Sequence, residues 1–581
     1  MQPPARLPVL ALLVFAAVAG LFRLRAYDLF WHLAAGRWIL EHRALPGEDP
    51  LRFTSQAVPW VDHEWLFQVV VRFVEQLGGL DGLVVFRAAV VVLLALLLLR
   101  SLRRQGTPLS GAVILTAGAI LLARPRFMLR PELLSLLGLA ALLALLQEFR
   151  RSRSRPSIAA AVVLVAVWAN AHPAVVIAPI VAAAYLLGAF ASRASQRDRG
   201  WVDGVSVVVV PGVLALAAMA NPAGFRIYTV PLEIRSALSD LAAINPEWVP
   251  AWSAPQLGLI AGSAALAVVV AWSVARARRI DGATALVTIV LAALAASGVR
   301  HQGLLFVGVA FFAGESLADA ARRPRAVPAP SEASWNALAI ATCALAAAWC
   351  IWTPPAGPLR ARQGPHEFGL GVQSGRFPVA AADALEARPE AGPLYNDVAF
   401  GGYLAWRLYP RRVFIDGRNE VNPGLLREVV RARSDSRAWN ALLERYGIER
   451  ALVRYDDRLV EVTDPAGKVV SRHTPNALLF PRSAFALVHW DDVAMIFVRR
   501  TPGNAERLSR DEYRFVHPED SVATLGAAAS DPMWLAGAMA EVERRLTQDP
   551  ACARALALRD GLARIGRERS PRADAARAGD S

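Results

Sequence analysis

The sequence predicts a mainly α-helical, polytopic membrane protein: a bundle of about eleven transmembrane helices, then a small soluble α/β domain and a C-terminal helical hairpin. Three observations carry this. Of 581 residues, 55% are apolar, and the long apolar runs all lie before residue 352. Arginines gather in the short loops between alternate runs. Beyond residue 352 the long apolar blocks give way to segments of strand and short-helix length.

The runs fall at 7–22, 83–99, 109–123, 133–146, 158–169, 173–190, 205–220, 257–274, 283–296, 303–314 and 335–352. Several are shorter than the roughly 20 apolar residues that cross a bilayer upright, so polar residues at their ends must supply the missing length. The first run, with Ala17-Val18-Ala19 near its end, is read as an uncleaved anchor rather than a signal peptide, since no separate soluble domain follows it.

A net charge of +14 raises nucleic-acid binding, and the distribution of that charge excludes it. Arg100, Arg103 and Arg104, then Arg150, Arg151, Arg153 and Arg155, then Arg193, Arg197 and Arg199, then Arg276, Arg278 and Arg279, and finally Arg322, Arg323 and Arg325 all fall on one side if the runs alternate. Basic loops of that kind stay inside. The expected setting is therefore the bacterial inner (cytoplasmic) membrane, with the amino terminus cytoplasmic and the C-terminal domain periplasmic or extracellular. Cys343, Cys350 and Cys552 form neither a disulfide framework nor a metal-spaced pattern.

The expected organisation is a transmembrane domain over 1–352 with its first outer loop at 23–82, then a linker at 353–392. An α/β domain follows at 393–505, a helical hairpin at 506–566 and a disordered tail at 567–581. Within the first loop, Trp31, Ala34, Ala35 and Trp38 recur at helical spacing, and Trp65, Val69, Phe73 and Leu77 form a second apolar row. Glu64, Gln68, Arg72 and Gln76 make a polar row beside it, as in helices that lie in the membrane interface.

The same loop carries Asp28, His32, Asp62, His63 and Glu64. Ionisable side chains are expensive near lipid, so a cluster of them there is a site hypothesis. The other outer loops are polar as well: Arg124, Arg126 and Arg130 in one, Asn170 and His172 in the next, then Asn221, Glu247, and Arg300 with His301. Each alone also reads as helix punctuation or as an arginine reaching lipid phosphate. Their convergence on one side is what points to a site.

In the soluble part, 393–397 reads as a strand ending in Asn396 and Asp397, and 412–418 as another ending in Asp416-Gly417-Arg418. Alternating strands and helices predict a largely parallel sheet with an antiparallel edge. Ligands favour the carboxyl ends of such strands, which makes Asn396, Asp397, Asp416 and Arg418 candidates. Turn chemistry and a local Asp416–Arg418 ion pair are the alternative. The stretch 531–565 resembles part of a tetratricopeptide repeat, whose apolar face must pack on something else or receive a protein partner.

The opening architecture, with Asp28 in Tyr27-Asp28-Leu29-Phe30-Trp31-His32 and then Asp62-His63-Glu64-Trp65, resembles the GT-C glycosyltransferases, membrane enzymes that use polyprenyl-phosphate-linked sugars. Residues 396–406 and 413–418 add a likeness to bacterial multi-pass members with a C-terminal periplasmic domain. The resemblance implies transfer of a sugar from a polyprenyl-phosphate donor to a glycan, lipid or protein acceptor, with Asp28 as the catalytic base. It further implies donor or acceptor contacts from Asp62, His63, Glu64, Arg124, Arg126, Arg130, Asn170, His172, Asn221, Glu247, Arg300 and His301. Many members carry adjacent paired acids in this loop, whereas Asp28 stands between Tyr27 and Leu29. A divalent metal, Mg2+ or Mn2+, is thus an open expectation, with Asp62 and Glu64 as its ligands. Two other classes compete: a non-catalytic scaffold of the same build for envelope assembly, and a transporter or flippase. The last would place charges in mid-span, whereas here they concentrate at span ends, although Arg87 lies within the second run.

Overall fold

The computed structural model describes residues 6–192, 202–238, 280–322, 331–352, 366–388 and 392–568, together with positions 267, 268, 271 and 275. Two compact units emerge: residues 1–47 with 59–373, and residues 48–58 with 374–581. A short piece of the first outer loop thus belongs to the second unit.

The first unit is helical. Its elements are α1 (Arg6–Gly20), α2 (Asp28–His42), α3 (Trp65–Gln105), α4 (Leu109–Ala123), α5 (Pro131–Ser152), α6 (Arg155–Ala169), α7 (Ile177–Ala191), α8 (Gly204–Ala218), α9 (Val230–Leu238), α10 (Gly282–Ser297), α11 (Gln302–Ala321) and α12 (Glu332–Ile351). Among the described residues, six helical stretches are long and apolar enough to cross a membrane: Trp65–Gln105, Leu109–Arg126, Pro131–Ser152, Pro173–Ala191, Val299–Ala321 and Glu332–Ile351. The apolar helices α1, α6, α8 and α10 are shorter. Among the described residues, the count of eleven is not confirmed. The run expected at 257–274 lies outside the described residues except at 267, 268 and 271.

Two helices expected at 65–77 and 83–99 are one element, α3, broken at Gly79 with φ 61° and ψ −157°. Glycine takes that conformation without the steric penalty of a Cβ, so the chain turns and resumes its helix. Before the break, Phe73 and Leu77 are largely exposed while Phe67, Gln68 and Val71 are buried, as an interfacial helix requires.

The arginine-rich ends meet. Arg104 pairs with Glu148 at 3.1 Å and Arg150 with Asp281 at 2.7 Å, and Arg153 pairs with Asp203. Arg151 donates to the Arg104 carbonyl and Arg322 to that of Gln105. Asp203 and Asp281 also cap α8 and α10 by accepting from Ser206 and Thr284 amides. One end of the bundle is therefore a basic rim, as alternation of the runs requires.

The second unit contains α13 (Val379–Glu386), β1 (Leu394–Asn396), α14 (Val398–Arg407), α15 (Pro423–Ala432), α16 (Ser436–Arg445), β2 (Arg450–Arg454), β3 (Val460–Thr463), β4 (Val469–His473), α17 (Pro475–Leu479), β5 (Phe485–Trp490), β6 (Ala494–Arg499), α18 (Ala505–Asp511), α19 (Ser521–Ser530), α20 (Pro532–Gln548) and α21 (Ala553–Glu568). The main sheet has the order β1-β2-β6-β5, and β3 with β4 forms a separate hairpin. Only β1 and β2 pair in parallel; β2 with β6 and β6 with β5 are antiparallel.

The expectation of a largely parallel sheet is thus corrected. The stretch 412–418 is not a sheet strand; Val413 forms a single bridge with Arg52. Asn396 explains why. Its side-chain amide donates to the Ile415 carbonyl at 2.7 Å and accepts from the Phe414 amide at 2.9 Å, standing where a ladder partner would be. Gly401 of α14 lies so close that a Cβ there would fall 1.8 Å from the Ile415 oxygen.

Candidate active site

All the outer-loop candidates that the structure describes lie in the first unit. Asp28 opens α2, and its carboxylate meets Arg130 at 3.0 Å. Arg130 immediately precedes Pro131, whose ring disfavours helix in the residue before it. It therefore takes an extended conformation, φ −137° and ψ 161°, at the N-cap position of α5, where its side chain makes no capping bond to that helix. Asp28 remains about one-third exposed, with a side-chain accessibility of 32%.

Next along the same loop, Arg126 grips Glu132 with two hydrogen bonds, at 3.0 and 2.5 Å. A fork-on-carboxylate pair of that kind is rigid and strong. Gly303, at the start of α11, abuts the Arg126 side chain, so Arg300 and His301 arrive beside this pair. His301 is itself held by the Leu294 carbonyl at 3.2 Å.

Glu64 stands between two imidazoles. His32 Nε2 and His172 Nε2 each lie 3.9 Å from one of its carboxylate oxygens. His172 Nδ1 sits 2.7 Å from the Ser135 hydroxyl, which accepts from the Trp168 indole at 2.8 Å. Burial, followed by the charge of Arg300, holds the His172 imidazole well below its usual range. Burial likewise pushes His63 down to about 4. Both rings are neutral at pH 7.

Packing sets these positions. A Cβ on Gly36 of α2 would fall 2.3 Å from the Gln68 carbonyl of α3, so the two helices touch at their backbones. Gln68 in turn donates to Asp62 at 2.8 Å, and Asp62 accepts the Glu64 amide at 3.2 Å. Asn170 accepts from the Trp65 indole at 2.7 Å and donates to the Ala220 carbonyl. The helix bearing Asp28 and the turn bearing Glu64 are thereby fixed to one frame.

The candidates divide. Asp28, Arg126, Arg130, His172, Arg300, His301 and Glu64 gather at one end of the bundle, with His63 within electrostatic reach of His172. Asp62 and Asn170 brace that group. Arg124 turns away, donating to the Cys350 carbonyl at 3.1 Å and lying over the Phe22 ring. Asn221 closes its own turn by bonding Ala218 and Ala223. Glu247 lies outside the described residues. Arg87, the charge in mid-span, donates to the Gly20 carbonyl and covers Phe22 at 3.6 Å, which ties α1 to α3.

His32, part of the first-loop cluster, is placed against Glu64, whereas Glu132 and Ser135 are residues the sequence did not single out. Glu132 carried a signal in following Pro131. Ser135, inside an apolar run, carried none.

A hard divalent ion wants several oxygen ligands converging on one point. Asp62 is occupied by Gln68 and by the Glu64 amide, and Glu64 faces two imidazoles. Among the described residues, no group of three or more His, Cys, Asp or Glu side chains could hold a metal ion. These residues do not fit the expected metal.

In the second unit, Asp397 caps α14 through the Ala399 amide, and Asn396 braces the 413–416 segment. Asp416 and Arg418 form a buried network with Asp49 and Arg52: Arg418 meets Asp416 at 2.6 Å and Asp49 at 2.8 Å, and Arg52 meets Asp49 at 2.7 Å. Burial would raise the Asp416 carboxyl, but Arg418 and Arg52 outweigh it and hold the group at about 2. All four are 3% exposed or less, so the ion-pair alternative describes Asp416 and Arg418 better than a ligand site does.

No protein-family model matches the chain, and no curated protein matches it. Solved structures do. AglB, an archaeal oligosaccharyltransferase from Archaeoglobus fulgidus in complex with an inhibitory peptide and a dolichol-phosphate, aligns over 89% of this chain and 82% of its own, at 9% identity and a TM-score of 0.47. ArnT from Cupriavidus metallidurans bound to undecaprenyl phosphate aligns over 84% of this chain and 97% of its own, at 14% identity and a TM-score of 0.47. Both neighbours are GT-C glycosyltransferases.

Proposed function

We propose that this protein is a membrane glycosyltransferase that moves a sugar from a polyprenyl-phosphate donor to an acceptor hydroxyl, on the side of the membrane opposite the basic rim. The observation that supports this most is the Asp28–Arg130 pair beside Arg126, Glu132, Arg300 and His301. It joins a carboxylate and several guanidinium groups at one end of a bundle of apolar helices. A lipid phosphate needs the second and an attacking hydroxyl needs the first.

In this reading the donor phosphate draws the Arg130 guanidinium, and the Asp28 carboxylate is released to act as base. The acceptor oxygen attacks the anomeric carbon as its proton passes to Asp28. The bond from that carbon to the phosphate oxygen breaks with inversion, and polyprenyl phosphate departs carrying the electron pair. Arg126, held by Glu132, and Arg300 stabilise the charge that grows on the leaving group. The neutral rings of His172 and His63 can offer hydrogen bonds to sugar hydroxyls without adding charge.

One observation favours a scaffold instead: the Asp28 carboxylate is engaged by the Arg130 guanidinium, which must let go before an acceptor hydroxyl can reach it. A single assay separates the two. Purified protein in bilayer nanodiscs is incubated with radiolabelled polyprenyl-phosphate sugars and an envelope extract as acceptor. Transfer of label that disappears in Asp28→Asn supports the enzyme; no transfer from any donor, or transfer unchanged in that variant, removes it.

A further inference from the structure

The second unit contains a pocket of about 400 Å3 that nothing above uses. Its lining is rich in aromatic residues: Phe480, Phe485 and Phe497, together with Trp534 of α20. Arg482, Arg500 and Arg514 stand at its rim and His517 lines it. From these features we infer a binding site for an acidic carbohydrate, a sugar ring carrying a carboxylate.

The charge balance comes first. Glu512 is the one carboxylate that lines the pocket among the described residues, and it is shared by Arg500 and by Arg514, the latter at 3.2 Å. Arg482 brings a third guanidinium and lies over the Trp534 ring at 5.5 Å. Among the lining residues three cations stand against one anion, and Glu541 and Asp520, which do not line the pocket, also act on Arg482. Guanidinium forks match a carboxylate in shape as well as charge.

The walls argue for a ring. Phe480 stacks on Phe497 at a centroid separation of 4.9 Å, and Phe485 meets Phe480 edge-on at 5.2 Å. Trp534 is fixed by Phe515, edge-on at 5.2 Å. Phe480, Phe485 and Phe497 are 2% exposed or less and back the pocket. Part-exposed Trp534 offers the flat surface that accepts the C–H face of a pyranose, and a volume of this size suits one or two such units. His517 is 5% exposed; its Nδ1 accepts the Asp520 amide, and its Nε2 has no partner among the described residues. With Nδ1 accepting, Nε2 carries the hydrogen, which a ligand hydroxyl at the floor would satisfy.

An extended peptide fits less well, because the backbone around the pocket is already engaged. The Leu487 carbonyl takes the Tyr513 amide, and Glu541 accepts the amides of Arg514, Phe515 and Val516. The Arg514 carbonyl receives Arg482, and that of Arg482 receives Arg500. Only side chains remain on offer, whereas peptide recognition along a strand draws on main-chain groups. The repeat-like hairpin thus closes on its own unit and contributes Trp534 as a wall.

Equilibrium dialysis of the full chain in nanodiscs against labelled digalacturonate tests this independently of any transferase activity. Saturable binding is expected, with the neutral disaccharide galactobiose at least about tenfold weaker, as loss of a charge-assisted pair implies. Arg482→Gln, at the exposed rim, should weaken digalacturonate about tenfold and leave galactobiose unchanged. Trp534→Ala should weaken both. The inference is overturned by absence of saturable binding, by equal affinity for the two sugars, or by wild-type affinity in Arg482→Gln. Tighter binding of the dipeptide acetyl-Phe-Asp, or full competition by equimolar inorganic phosphate, would equally overturn it in favour of a peptide or a bare-anion site.

Discussion

Asp28 and Arg130 meet at 3.0 Å although 102 residues separate them, each set at the start of a helix by its own local sequence. Tyr27 leads into α2, and Pro131 holds Arg130 extended before α5. Replacing Asp28 with Asn keeps the shape and removes the proposed base. Initial rates of sugar transfer should fall by about a hundredfold or more, with expression and melting temperature unchanged. Wild-type rates would leave Asp28 without a catalytic role.

The contact of Gly36 with the Gln68 carbonyl holds α2 against α3. Gly36→Leu forces the two backbones apart, and overpacking of this kind destabilises by on the order of 1–3 kcal/mol. Because Asp28 and the Glu64 turn ride on these helices, kcat should fall more than KM rises. Gly47→Leu, with nothing within 4 Å of its Cβ position, is the matched control and should alter neither.

Within the second unit, Arg418→Met leaves Asp416 and Asp49 buried with Arg52 as their remaining described guanidinium partner. Removing one member of a buried ion network destabilises by roughly 3–5 kcal/mol. Thermal or denaturant unfolding should therefore shift strongly. Arg407→Ala, which breaks a partly exposed pair with Asp383 and Glu386, should shift it by less than about 1 kcal/mol.

Acid acts through two windows. His63 and His517 are both lowered by burial to about 4, so between 6.5 and 4 the unfolded chain binds more protons than the folded one. Stability should fall as pH drops through that range. Asp416 is held at about 2 against an ordinary 3.8, so its contribution is present above pH 4 and lost as pH falls towards 2. Melting temperature against pH, measured for the wild type and for His517→Phe, should show a shallower loss between pH 6.5 and 4 in the variant.

Much of the bundle was legible because apolar blocks and arginine loops are one-dimensional signals. The rows through Trp31 and Trp65 gave α2 and the first part of α3, and alternation of the loops brought Arg104 to Glu148. The α/β part was legible as elements and not as a sheet. A strand-like run at 412–418 carries the same residue preferences whether or not it finds a ladder, and here the Asn396 amide takes the ladder's place.

What the chain determined by itself is a set of local facts: which stretches prefer lipid, where proline and glycine break them, and on which side the ionisable groups collect. Tertiary structure alone decided which of those groups touch. Arg124 and Arg130 lie six residues apart in one loop and look equivalent in sequence, yet one points to Cys350 and the other to Asp28. The reason is physical. A guanidinium buried near lipid must find the nearest acceptor, and that acceptor comes from a helix distant in sequence, delivered by packing rather than by neighbouring residues.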